Sequence, residues 1–166
     1  LADYLPPRPF DAIYASPMKR VQQTLAPMLA SPHPSPNILP NLYEGDFGDW
    51  TGLTFAEVKA RFGFDAHHWL HQLDAGAIPN AENVPRYRQR IDSCLQEILR
   101  NNAGKTVAVF CHGGVIRMLL ALLLELPFVE MDRFEIEYAS ISTVVIKPDR
   151  TRLQMLNFAP WRDHSE

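Results

Sequence analysis

Thr106-Val107-Ala108-Val109-Phe110-Cys111-His112-Gly113-Gly114-Val115-Ile116-Arg117-Met118-Leu119-Leu120-Ala121-Leu122-Leu123 is the stretch that decides the fold. Its first part is a continuous, β-branched apolar run between Gly104 and Gly113, the pattern of a strand buried on both faces. Its second part is an apolar helical pattern that starts at the paired glycines. A histidine therefore stands where a strand ends and a helix begins. In an open α/β sheet that edge is where ligands bind. The free N–H groups and the positive dipole end of a helix favour an anion there, above all a phosphate.

Working upstream, residues 11–15 form a second short strand candidate, and Ser16-Pro17 reads as the N-cap and first position of a helix carrying Met18, Val21, Leu25 and Met28 inward. Pro27 is expected to kink that helix. Residues 31–36 are a proline-rich surface connection, followed by an extended segment over 37–43 and a glycine-punctuated loop over 44–52. Thr54 answered by Glu57 is a capping box opening a helix. A short helix is expected over 65–73, and a long amphipathic one over Val84–Asn101 with Ile91, Leu95, Ile98 and Leu99 inward. Downstream, strand-like runs cover 133–138, 141–147 and 153–158, with a turn at Pro148-Asp149-Arg150. Residues 1–5 read as the end of a helix stopped by Pro6-Pro7, so by its pattern the chain is expected to start within an element.

The length of 166 residues suits one domain with a substantial core. Apolar residues make up 46%, charged residues 21%, and the net charge is −3, which disfavours a general nucleic-acid or polybasic membrane role. No apolar stretch is long enough to cross a bilayer. Cys94 and Cys111 read as reduced core thiols of a cytoplasmic protein.

If the strands at 11–15 and 106–111 are parallel neighbours, their following helices start at one edge and could hold one anion between them. Arg20 would sit in the first turn of its helix, where a planar guanidinium grips phosphate oxygens. Glu44, at the mouth of the glycine-rich loop, could donate a proton to a leaving oxygen. The competing site is His67 with His71, whose spacing puts both on one helical face at metal-ligand distance. No glutamate lies between them and no third ligand is evident, so a solvent-facing pair is expected. His33 and His164 read as surface residues, and Arg117 as an ion-pair or packing residue. Trp50 and Phe47 read as covers over the core.

Three blocks resemble the histidine phosphatase, or phosphoglycerate mutase-like, superfamily: the stretch from Phe10 to Thr24 containing Ser16-Pro17 and Arg20, the Glu44 loop with Phe47-Gly48-Asp49-Trp50, and Cys111-His112-Gly113-Gly114. They occur in the family's order and span most of the chain. The resemblance implies a three-layer α/β/α sandwich with a mostly parallel central sheet. It implies that Arg20 binds the transferred phosphoryl group, that His112 stabilises its developing charge, and that Glu44 serves as general acid and then base. Ser16, Phe47, Gly113 and Ser142 are placed by it on the substrate side of the pocket. It implies a phosphohistidine intermediate and no metal or other cofactor. Glu82, in Asn80-Ala81-Glu82-Asn83, keeps its place where the family more often has Gly-Glu-Ser.

The family's nucleophile is a histidine in an Arg-His-Gly motif after its first strand, and these 166 residues contain no Arg-His-Gly. The sequence is therefore expected to be one N-terminally incomplete domain over 1–166, lacking about 30 or more residues of strand, loop and helix. Strands flanking the missing one should lack partners, and the chain alone should not turn over. The expected function is hydrolysis of a small phosphorylated metabolite in the cytoplasm, with neither nucleic acid nor membrane as partner. A homodimer is the one assembly anticipated. The alternatives are a catalytically inactive phospho-ligand binding or regulatory protein, and a phosphoglycerate-type phosphomutase.

Overall fold

The computed structural model describes residues 5, 10–30 and 33–163. Strand β1 (Ala12–Ala15) lies between β2 (Pro36–Ile38) and β3 (Val107–Phe110), and both pairings are parallel. Because successive strand side chains point to opposite faces, β1 serves two cores. Ile13 and Ala15 pack with Val21, Leu25 and Met28 of the first helical region. Ala12 and Tyr14 join a larger core with Ile91 and Ile98 from α4 (Val84–Asn101) and Val115 and Met118 from α5 (Gly113–Leu123). A parallel sheet with helices on both faces is the α/β layering expected from the sequence.

The helix after β1, α1, runs only over Lys19–Leu25 and passes at Ala26 into a 3-10 segment carrying Pro27. The proline thus ends the α-helical bonding, which is what loss of its N–H requires. The capping box at Thr54 forms as expected and opens α2 (Phe55–Phe62), with Glu57 N–H donating to Thr54 and Thr54 N–H to Glu57. Residues 65–73 split into a 3-10 turn at Ala66–His68 and the short α3 (Trp69–Asp74). The extended segment is shorter than expected, since Leu42 N–H turns back to Leu39 O.

The strand expected over 133–138 does not form. A 3-10 segment occupies Phe128–Arg133, and Arg117 Nη2 takes the Phe134 carbonyl while Asn157 Oδ1 takes the Glu137 N–H, so side chains replace a ladder. Strands β4 (Ile141–Lys147) and β5 (Arg150–Phe158) make an antiparallel hairpin, followed by α6 (Pro160–Asp163). Val144, Leu153 and Leu156 of the hairpin pack on the larger core. Among the described residues, β3 pairs with β1 alone and β4 with β5 alone. His33 is half-buried against the Phe10 ring at 5.8 Å, not a free surface residue. The helix end read at residues 1–5 falls almost wholly outside the described residues, as do Pro6-Pro7, Ser31-Pro32 and His164. No helix among the described residues is long and apolar enough to cross a membrane.

Candidate active site

The register Ala15↔Phe110 brings the C-terminal ends of β1 and β3 to one edge, and Ser16 N–H extends the ladder to Phe110 O at 2.9 Å. Ser16 is fully buried, with its Oγ 2.7 Å from His112 Nε2. Arg20 Nε donates to His112 Nδ1 at 3.2 Å, so Nδ1 is an acceptor and the ring proton sits on Nε2, pointing at Ser16 Oγ. Burial first, then the positive charges of Arg20 and Arg90, pushes the His112 imidazole down to about 4. A neutral ring follows at neutral pH. Ser16 is therefore not the N-cap expected. Met18 is extended and stands at that position, α1 starts at Lys19, and the Ser16 hydroxyl serves His112 while accepting a 3.3 Å bond from Met18 N–H. Arg20, exposed in the first turn of α1, directs its remaining donors to no partner among the described residues.

His112 is the N-cap residue of α5, whose first N–H groups were expected to wait for a phosphate. The nearest anion is instead the chain's own Glu44. Its Oε2 accepts the Gly114 N–H at 3.0 Å, and its Oε1 accepts from Gly45 N–H at 2.9 Å and from the Tyr87 hydroxyl at 3.1 Å. A carboxylate at a helix N-terminus is favoured by the dipole and the unsatisfied donors. Gly114 is what permits this approach, because a Cβ there would lie 2.5 Å from Glu44 Oε1 and 2.9 Å from Tyr87 Oη. Gly113 opens the helix beside Arg117 Nη1. Cys111 lies next to this carboxylate, and burial first, then the Glu44 charge, drives its thiol up to about 12. It is an inert core thiol, not a nucleophile.

Beneath Glu44 lies a frame that the sequence reading missed. Arg90 is buried on α4 and uses all five of its N–H donors: Nε and Nη2 on Glu82 at 2.8 and 2.7 Å, Nη1 on the carbonyls of Asn41 and Tyr43, and Nη2 on the carbonyl of Glu44. Its guanidinium carbon sits 3.8 Å from the Tyr43 ring centroid and 4.6 Å from that of Tyr87. Glu82 N–H in turn holds Asp46 O, and Asp49 N–H holds Pro79 O, so the loops at 44–50 and 79–82 are stitched together. Gly48, at φ +50°, lies so close to the 79–81 backbone that no side chain fits. The signal for Arg90 was available: it lies on the same face of α4 as Tyr87, Ile91 and Cys94, and a cation inside an apolar stripe announces a buried pair.

The other expected residues separate from this group. Phe47 lies edge-on to Trp69 at 5.0 Å, and Trp50 is buried against Phe62 and Phe64, so both rings serve the core. Ser142 Oγ accepts the Asn157 N–H inside the hairpin, and no hydrogen bond joins it to His112 or Glu44. Arg117 caps the carbonyls of Met131, Gly113 and Phe134, the packing role expected. His67 and His71 do not pair. His67 meets the Phe55 ring edge-on, and His68 and His71 approach Asp132 at 3.6 and 3.4 Å, because the 3-10 turn ahead of α3 changes the spacing that shares a face. Among the described residues no histidine, cysteine and carboxylate trio is arranged to hold a metal ion.

The model of the histidine phosphatase superfamily (branch 1) matches residues 1–159. An adenosylcobalamin/alpha-ribazole phosphatase of Escherichia coli is 24% identical over 148 residues, covering 89% of this chain and 73% of that protein. A 2,3-bisphosphoglycerate-dependent phosphoglycerate mutase 2 of Gloeobacter violaceus is 30% identical over 154 residues, covering 89% and 70%. The crystal structure of the alpha-ribazole phosphatase from Shigella flexneri superimposes with a TM-score of 0.75 at 22% identity, over 93% of this chain and 75% of that one, a likeness of fold.

Proposed function

We propose that this chain, which belongs to the histidine phosphatase superfamily, carries most of a phosphomonoesterase site for a small phosphorylated metabolite. The observation that carries this reading is the convergence of Arg20 and Ser16 on the two nitrogens of neutral His112, with Glu44 at the adjoining helix start. In this reading the free donors of Arg20 grip the phosphoryl oxygens, and His112, with the N–H of Gly113, stabilises the charge that develops on them. Ser16 orients the imidazole. A histidine of an Arg-His-Gly motif, a motif absent from these residues, attacks phosphorus while the bond to the leaving oxygen breaks. Glu44 gives its proton to that oxygen and then takes one from the water that hydrolyses the phosphohistidine. In this reading Arg20 and the N–H of Gly113 supply the positive charge, and no metal takes part. Phe47 and Ser142 would approach the substrate only from the rim. We read the 166 residues as one domain of a cytoplasmic enzyme, inactive without the nucleophile.

The test is hydrolysis of a panel of phosphomonoesters by the protein in a form bearing the Arg-His-Gly motif, with an acid-labile, base-stable phosphoenzyme trapped in the burst. Arg20→Ala, His112→Ala and Glu44→Gln should each lower kcat/KM by about 100-fold or more. Full activity in either of the first two would sink the assignment. The 30% identity to a mutase favours one second reading, phosphoryl exchange between two positions of a metabolite, which a mutase assay on glycerate phosphates separates from hydrolysis.

A further inference from the structure

Tyr87 has no solvent exposure, and its ring is fixed edge-on to Phe128 at 5.7 Å with Arg90 over its face. Its hydroxyl donates to Glu44 Oε1 at 3.1 Å. Burial first, then the negative charge of Glu44, holds this phenol well above the usual tyrosine range, so it keeps its proton and donates. The two carboxyl oxygens are consequently unequal. Oε1 receives two donors, Gly45 N–H and Tyr87 O–H, while Oε2 receives only Gly114 N–H. A proton placed on Oε1 would face a donor, whereas Oε2 keeps a lone pair for it.

We propose that Tyr87 is a positioning residue that fixes the carboxyl of Glu44 so that Oε2 is the oxygen that delivers and recovers the proton. This rests on the phosphatase reading above. In the first step the Oε2 proton passes to the leaving oxygen as its bond to phosphorus breaks, leaving a carboxylate. In the second, a water oxygen bonds to phosphorus, the N–P bond breaks, and the water's proton returns to Oε2. Gly114 belongs to the same device, since any side chain there would collide with both Glu44 Oε1 and the Tyr87 hydroxyl.

Tyr87→Phe keeps the ring and removes the donor. In the protein bearing the nucleophilic histidine, kcat/KM for an alkyl phosphate, which reports the steps through departure of the leaving group and not the later hydrolysis, should fall about tenfold. For p-nitrophenyl phosphate, whose leaving group departs without a proton, it should change less than about twofold. An equal loss on both substrates, or no loss on either, overturns the proposal. A second measurement is independent of turnover: NMR of the Glu44 side-chain carboxyl carbon in the 166-residue chain, identified with Glu44→Gln. Its chemical shift at neutral pH should move in Tyr87→Phe as the donor to Oε1 is lost, and an unchanged resonance overturns the proposal. If the parent protein hydrolyses neither substrate, the phosphatase reading fails and takes the proton-transfer role with it. The NMR result then tells whether the bond from Tyr87 to Glu44 was itself mistaken.

Discussion

Arg20 and Arg90 both bear on the candidate site, and their surroundings are opposite. Arg90 is buried with five donors on five acceptors, sandwiched by Tyr43 and Tyr87. Arg20 is exposed and spends one donor on a neutral imidazole. A guanidinium withdrawn from water is tolerable only when every donor is matched, so a saturated one has nothing left for a ligand and can only hold structure. An unsaturated one beside an uncharged ring at a sheet edge is available to an anion. The difference separates the frame of this site from its working edge.

The strongest way to break that comparison is Arg90→Met, which strands the buried Glu82 carboxylate and three carbonyls. Chemical denaturation should register a loss of about 3–5 kcal/mol, and a loss under about 1 kcal/mol would deny the frame its role. Next comes acid. The folded His112 titrates at about 4 against 6.5 unfolded, so the unfolded chain binds the extra proton between these values. Stability is full above pH 6.5 and falls as pH drops toward 4, by about 3 kcal/mol at most. Thermal melts across that window should reveal the slope, and His112→Asn should flatten it.

Gly114→Ala sharpens the comparison from the Glu44 side. Its methyl must displace the carboxylate or the Tyr87 hydroxyl, at a cost of about 1–3 kcal/mol. A crystal structure of the variant with Glu44 unmoved would contradict the tight cradle. The smallest stability effect belongs to Arg20→Ala, expected within about 0.5 kcal/mol of the parent at neutral pH. The same variant should lose phosphate binding by calorimetry, and its acid slope should shrink, because the Arg20 charge is the cause next after burial for the lowered His112 value.

Much of the scaffold was legible because it follows local rules. The strand at 107–110 and the helix after it follow from periodicity and paired glycines, and the Thr54 capping box from two residues three apart. The strand misread at 133–138 had the right residue types but no partner, since strand formation depends on what lies alongside. The expected cap at Ser16 failed for a related reason: a short hydroxyl side chain obeys whichever partner the fold supplies, and here it is a histidine 96 positions away. The His67 and His71 pairing failed because a 3-10 turn cannot be told from an α-turn by composition.

By itself the sequence determined the layered α/β arrangement and the strand-to-helix junction that bears His112, because short-range periodicity and turn chemistry dictate both, while Arg20 and Glu44 stood out as candidates through the resemblance of their blocks to a known family. Only the tertiary structure decided which arginine is sealed and which is exposed, that Glu44 takes the start of α5, and that Tyr87 and Arg90 hold it there. Those outcomes depend on hydrogen bonds between residues 43 to 92 positions apart. Their energies come from desolvation and geometry, which no local pattern of residues encodes.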